Sequence, residues 1–563
     1  MAQSGTDVDI RSSQTEWRSH LQAGLRLLPL VLVAAVAIGY ALRLIHPATL
    51  WLDEAMLFVN VRDIAWHELL APLPFYDQAA PVAYIALLKL IHSLAGLQES
   101  LLRLPSFLAL LATFALITRL PDTCRTTRIL MAALLAGSFV TARIATDAKP
   151  YMFEALFAFA MMIAFHPATR GFWASTPFRL GLLGLAMLTT TAFPLVAFAI
   201  GAPLILSIAR MDLTAGRPFN QWRCVRPAAI FAAALAFYTA YFAGYLSPSL
   251  KLIAANHAYG YGPSGFAPDS AFYPMWFAGR LLDIIASHWQ SMAPFIAIAA
   301  LVGGYALSRR ASVYALQAGT LLGLVVTANI AGFFPVMEER FSVFLLPWLI
   351  LCAASGLTIV LRKLPSTLAQ PFAAAVLTAA LLGPAVDTLR DPFHQQAHAS
   401  LAHIHAKPTI PLHTTMAGQP IVDAYLSGAS KNRSDCAVAV AAGTTDRCTA
   451  PRQTTDGMFK QAGTKWYLMN YIAIASWGGS DHGFPGASIA AFSADYYDWI
   501  VGDLRRSKRA HLLVVQGNTH MVEALRQRLQ RNETLTRIVD ERPASPTLAH
   551  SAGQLFLFDV GAR

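Results

Sequence analysis

The chain has 563 residues, 55% of them hydrophobic and 13% charged. A soluble domain carries about 25% charged residues, so composition excludes an ordinary soluble globular protein. The net charge of +11 does not point to nucleic acid, because the Lys and Arg residues stand at the ends of apolar runs, where they set membrane topology.

In chain order, residues 1–22 are polar and are expected to be a disordered cytoplasmic N-terminus. The apolar run 24–46 is too long for a signal-peptide core and lacks a small-residue cleavage site, so it reads as a retained helix. Further runs at 104–120, 128–145, 151–166, 178–191, 192–209, 227–246, 291–308, 311–331, 341–361 and 366–389 are continuous rather than alternating. They predict a polytopic α-helical membrane protein of about eleven transmembrane helices. The segment 81–97 is apolar but short, and it carries Lys89 and His92; it is expected to lie in the interface as a juxtamembrane or re-entrant helix.

The positive-inside rule orders these spans. Arg11, Arg18 and Arg26 precede the first run; Arg119, Arg125 and Arg128, then Arg170 and Arg179, then Arg210, Arg217, Arg223 and Arg226, then Arg309 and Arg310, and finally Arg362 and Lys363 flank later ones. All fall on the cytoplasmic side if 81–97 does not cross. The loops 47–103, 146–150, 247–290 and 332–340, and the tail from about 390, then face the exterior. The expected domains are the N-terminal 1–22, a membrane domain over 23–389, and a small α/β domain over 390–563, whose β-like "HLLVVQG" and "GQLFLFDV" surround a helix-like "MVEALRQRLQ". Cys436 and Cys448 flank a short tail segment and are expected to pair in an oxidising compartment, stabilising the tail by about 2–3 kcal/mol.

Charged side chains at a membrane edge are costly unless paired or wet, so they mark sites more often than packing. The predicted outer face gathers several. "WLDEA" brings Asp53 and Glu54, "FYDQAAPVAY" brings Asp77 and Gln78, "TDAKPYMFE" brings Asp147, Lys149 and Tyr151, and "MEERFSVFLLP" brings Arg340. Together they suggest a site at the lipid–water boundary that accepts an anionic head group. The loop "NHAYGYGPSGFAP", with His257, has the Tyr, Gly and Pro content of a covering loop. The histidines from His394 to His413 have the irregular spacing of a solvated linker rather than of a metal tract.

"WLDEA" after the first helix, "DQAAPVAYIALLKL", "LLRLPSFLALL", "TDAKPYMFEALF" and "ERFSVFLLP" occur in the order and spacing of the GT-C glycosyltransferases. Over about residues 24–350 the chain resembles bacterial relatives of protein O-mannosyltransferases and of the lipid A aminoarabinose transferase. The resemblance implies an enzyme of the bacterial inner membrane. Its donor would be a polyprenyl-phosphate sugar, its acceptor a hydroxyl on a glycan, lipid or protein, and its active site and C-terminal domain would face the periplasm. It implies catalytic roles for Asp53, as the base, and for Glu54 and Asp147. Lys149, Tyr151, Arg340, Asp77, Gln78, Arg103 and His257 are expected to bind substrate. Gln78 and two alanines stand where the aminoarabinose branch carries a lysine, which leaves the acceptor open. No cofactor is expected; a divalent cation on Asp53, Glu54 and Asp147 is the less favoured arrangement. The competing readings are a flippase or transporter of lipid-linked sugars, which predicts internal repeats that the chain does not show, and a scaffold for assembly.

Overall fold

The apolar runs of the first two thirds form helices. A computed structural model describes residues 34–45, 49–71, 73, 78–214, 221–247, 266, 272–310, 312–336, 342–390, 397–407, 409–410, 412–415, 419–426, 458–461, 464–467, 501–502, 504–515, 519–541 and 553–561. Helix α1 is Ala34–Ile45. It is followed by α2 (Leu52–Asp63), α3 (Val82–Ala95), α4 (Glu99–Ile117), α5 (Arg125–Ala136), α6 (Phe139–Ile144), α7 (Tyr151–Ala164) and α8 (Thr176–Thr189). Then come α9 (Phe193–Thr214), α10 (Gln221–Tyr241), α11 (Tyr273–Trp289), α12 (Ala293–Arg309), α13 (Val313–Ile330), α14 (Leu346–Lys363) and α15 (Ser366–Arg390).

Among the described residues, six helical stretches are long and apolar enough to cross a membrane, and α1, α3, α7, α8 and Pro371–Gly383 are shorter apolar helices. The chain is a multi-pass membrane protein. Helix α3, with 14 residues, reaches about 21 Å at 1.5 Å per residue, short of the roughly 30 Å hydrocarbon layer.

Two elements depart from the sequence expectation. The run 128–145 is not one helix. Gly137 ends α5, and the hydroxyl of Ser138 caps α6 by accepting from the Thr141 N–H at 3.0 Å. Ser138 Oγ also lies 2.6 Å from Nδ1 of His288, and Trp289 Nε1 donates to the Leu134 carbonyl at 3.1 Å. Those two side chains come from α11, a helix inside the segment expected to be outer loop. Hydropathy misses both features, because the broken run stays apolar throughout and α11 is diluted by Arg280, Asp283 and His288.

Close packing elsewhere follows the small residues. A Cβ added at Gly303 would strike the Cys352 carbonyl, and one at Gly356 the Ala299 carbonyl, so α12 and α14 cross backbone to backbone. The break between α8 and α9 is sealed by Glu154 of α7. Its carboxylate accepts from Thr191 N at 2.6 Å, Thr191 Oγ1 at 2.8 Å and Ala192 N at 3.3 Å, and Tyr238 Oη donates to Thr191 O at 2.9 Å.

The tail carries a small mixed sheet. Its strands are β1 (Leu412–Thr415), β2 (Met458–Gln461), β3 (Thr464–Tyr467), β4 (Arg509–Val515), β5 (Glu533–Asp540) and β6 (Gly553–Val560), in the order β2-β3-β1-β4-β6-β5. β1 runs parallel to β3 and β4; the other pairs are antiparallel. Helices α16 (His398–Ala406), α17 (Gln419–Tyr425) and α18 (Thr519–Arg526) accompany it. The two β-like runs and the helix-like run of the sequence coincide with β4, β6 and α18. His398, His403 and His405 fall in α16 and His413 in β1. Cys436 and Cys448 lie outside the described residues.

Candidate active site

Glu54 is the hub. It is the third residue of α2, and its carboxylate accepts from the N–H of Trp51, the residue before the helix, at 3.0 Å. This satisfies one of the orphan donors of a helix start. Arg103 of α4 grips the same carboxylate with two parallel bonds, Nε to Oε1 at 3.0 Å and Nη2 to Oε2 at 2.7 Å. The Ala148 N–H adds a fourth at 2.6 Å. Both charged side chains are fully buried. Burial is tolerable because the pair is bidentate and its remaining valences are used; Arg103 Nη2 also donates to the Thr49 carbonyl at 3.0 Å.

The "RLPS" element thus acts as a two-pronged clasp. Arg103 holds the turn before α2. Ser106, one helical turn on, donates to the Lys149 carbonyl at 2.8 Å and holds the loop before α7. Residues three apart share a helix face, so one face of α4 brings the two acidic segments together.

Asp53 behaves differently from its neighbour. Consecutive helical residues project about 100° apart. Glu54 therefore turns inward to Arg103, while Asp53 is half-buried. Asp147, four residues beyond Arg143, is 2% exposed. Its carboxyl is pushed up to about 7, first by burial and then by the Glu54 charge; Arg143 and Arg103 oppose the shift, and Asp53 adds to it. One proton is therefore held near neutrality within a group of three carboxyls.

Among the described residues, three cations accompany the acids. Arg103 is consumed by Glu54. Lys149 is buried and donates from Nζ to Oε1 of Gln78 at 2.9 Å, and Gln78 Nε2 lies 3.4 Å from Sδ of Met56 in α2. Sequence reasoning missed the third, Arg143. It is half-buried, and its guanidinium stands over the Trp51 ring at 5.3 Å. The available signal was its basic charge inside an apolar run, itself a mark of function in a membrane protein.

The loop that carries Gln78 is pinned from α10 and the π-helical turn Phe242–Leu246 that follows it. Tyr241 Oη accepts from Val82 N at 3.0 Å, Tyr245 Oη donates to Ala80 O at 3.2 Å, and the two rings stack at 5.3 Å. Tyr151 is half-buried at the start of α7. The structure thus joins Glu54, Arg103, Asp147, Lys149 and Gln78 in one contiguous cluster, with Asp53 beside it. Asp77, His257 and Arg340 lie outside the described residues. Among the described residues no group of three or more His, Cys, Asp or Glu side chains has the arrangement of a metal site.

No family model matches the chain, and no curated protein does. Among solved structures, the chain is similar to ArnT from Cupriavidus metallidurans. The apo structure matches with a TM-score of 0.46 at 13% identity, over 94% of this chain and 97% of that one. The structure of ArnT bound to undecaprenyl phosphate matches with a TM-score of 0.43, the same identity and the same coverage.

Proposed function

We propose that the protein is a glycosyltransferase of the bacterial inner membrane, moving one sugar from a polyprenyl-phosphate donor to an acceptor hydroxyl at the periplasmic face. The observation that carries this reading is the division of labour between adjacent acids. Glu54 is locked into a buried ion pair with Arg103, while its neighbour Asp53, half-buried at the head of α2, is the acid to which the family resemblance of the motifs gives the role of base. The family resemblance of the motifs supplies the donor class.

The chemistry suits these residue types. Asp53 takes the proton of the acceptor hydroxyl as its oxygen attacks the anomeric carbon. The bond from that carbon to the phosphate oxygen breaks, and the electron pair leaves on the polyprenyl phosphate. A single displacement of this kind inverts the anomeric centre. Negative charge grows on the leaving phosphate, and a fixed cation lowers the barrier there. Arg143, whose planar fork lies on the Trp51 face, suits two phosphate oxygens at once; Lys149, held by Gln78, adds a point charge. From their motifs, Arg340 is assigned to the donor phosphate, and Asp77, Tyr151 and His257 to substrate binding. Glu54 and Arg103 frame the site, and Asp147 shapes its charge. The domain boundaries near residues 23 and 390 belong to the same reading.

The test is a lipid-extract mass spectrum from wild type, a deletion strain, and the deletion carrying Asp53→Asn. A polyprenyl-phosphate sugar accumulates in both mutant strains, and its mass identifies the sugar. A pool changed by the deletion and restored by Asp53→Asn would remove Asp53 from the mechanism and favour transport.

A further inference from the structure

Three consecutive residues precede α2, and each has a backbone group held by a different side chain. The Thr49 carbonyl accepts from Arg103 of α4 at 3.0 Å. The Trp51 N–H donates to Glu54 within α2 at 3.0 Å. Between them, the Leu50 N–H donates to Oη of Tyr425 at 2.9 Å. Tyr425 ends α17, in the C-terminal domain, 375 residues away in sequence. The same hydroxyl donates its own proton to Oε1 of Glu99, the first residue of α4, at 2.7 Å. It is therefore oriented on both sides, as acceptor and as donor.

The surroundings reinforce this contact. Arg62 of α2 is paired with Asp63 at 2.7 Å and donates from Nη1 to the Ala424 carbonyl at 3.2 Å. The ring of His398 meets the Tyr425 ring edge-on at 5.9 Å, with Nε2 3.7 Å from Glu99. Helix α17 is thus tied to both ends of α2, and its terminal hydroxyl enters the segment that fixes where Asp53 points.

We infer that Tyr425 is a positioning residue through which the C-terminal domain holds the turn carrying Asp53. The inference rests on the proposed role of Asp53. Leu50 is fully buried, so its N–H has no ready water to replace the tyrosine oxygen, and an unsatisfied buried donor drives rearrangement. The residue displaced with it lies three positions from the proposed base. Misplacing a catalytic group by about 1 Å costs up to about a hundredfold in rate.

The experiment uses full-length protein in lipid nanodiscs and the variant Tyr425→Phe, which keeps the ring and removes the hydroxyl. Hydrogen exchange is followed over residues 49–55 and, as an internal reference, over α14. Turnover is measured with a synthetic polyprenyl-phosphate sugar, and folded protein is counted by its melting profile. Faster exchange confined to 49–55, with kcat down about tenfold or more and KM for the donor within about twofold, is the expected result. Exchange unchanged over 49–55 overturns the clasp. Faster exchange with kcat per folded molecule unchanged overturns the positioning role and leaves only a structural contact. A wild-type protein that turns over no polyprenyl-phosphate sugar sinks the enzymatic reading and the positioning role with it, while the exchange result still judges the clasp.

Discussion

Arg103→Gln tests whether the guanidinium at the heart of the site frames it or touches substrate. In the wild type, the Glu54 carboxylate has four donors, two of them from Arg103. The substitution removes the positive charge and leaves a fully buried anion with only the N–H groups of Trp51 and Ala148. Breaking a buried ion pair by deleting one partner costs about 3–5 kcal/mol, and the two surviving backbone bonds place this case near the lower end. Thermal unfolding of the purified full-length variant in detergent should therefore show a midpoint several degrees below wild type. In the double variant Glu54→Gln with Arg103→Gln no unpaired charge remains, and most of the loss should be recovered. A single variant that melts like wild type yet has lost turnover would refute the framing argument and put Arg103 on the substrate, where the family resemblance places it.

Two further expectations concern the same cluster. Because the Asp147 carboxyl is raised from 3.8 to about 7, the folded state holds a proton that the unfolded chain releases earlier. The stabilising effect of that proton is complete below about pH 4 and is lost as pH rises to about 7. Asp147→Asn should thus melt higher than wild type, by a margin that grows from pH 4 to pH 7 and levels off above; a margin independent of pH would contradict the shift. If the proposed donor class is right, Arg143→Gln should weaken binding of a polyprenyl phosphate to the nanodisc-embedded protein by about tenfold or more, the size expected for charge-assisted bonds. Arg143→Lys should fall between, since an ammonium lacks the fork, and equal affinity in all three proteins would exclude Arg143 from the phosphate.

Much of the membrane domain is legible in the sequence because the hydrocarbon layer demands long apolar helices, and α9, α13 and α14 lie where hydropathy puts them. The acid-bearing segments are legible for a related reason: charge beside such helices is conspicuous. What hydropathy cannot show is partnership. Asp53 and Glu54 look equivalent in "WLDEA", and only the helical turn separates the fully buried acid that pairs with Arg103 from its half-buried neighbour. Arg143 is concealed by an apolar run that reads as a single span, and the break at Gly137 is stabilised by His288, 150 residues later. Lys149 reads as a free cation in "DAKPY", whereas Gln78, 71 residues earlier, holds it. In each case the deciding contact lies far along the chain, beyond the reach of periodicity or propensity.

The seal at the break between α8 and α9 implies an order of assembly. Synthesis delivers Glu154 first and Thr191 37 residues later, so the N–H groups at the head of α9 can be capped as soon as α7 and α9 meet. The Thr191 carbonyl must wait for Tyr238, 47 residues further on. Until α10 arrives, one backbone acceptor of that turn lacks its tyrosine. The helices from α7 to α10 are therefore a unit whose last member closes what the first began, and a ribosome pausing between residues 191 and 238 would leave that unit open on one side.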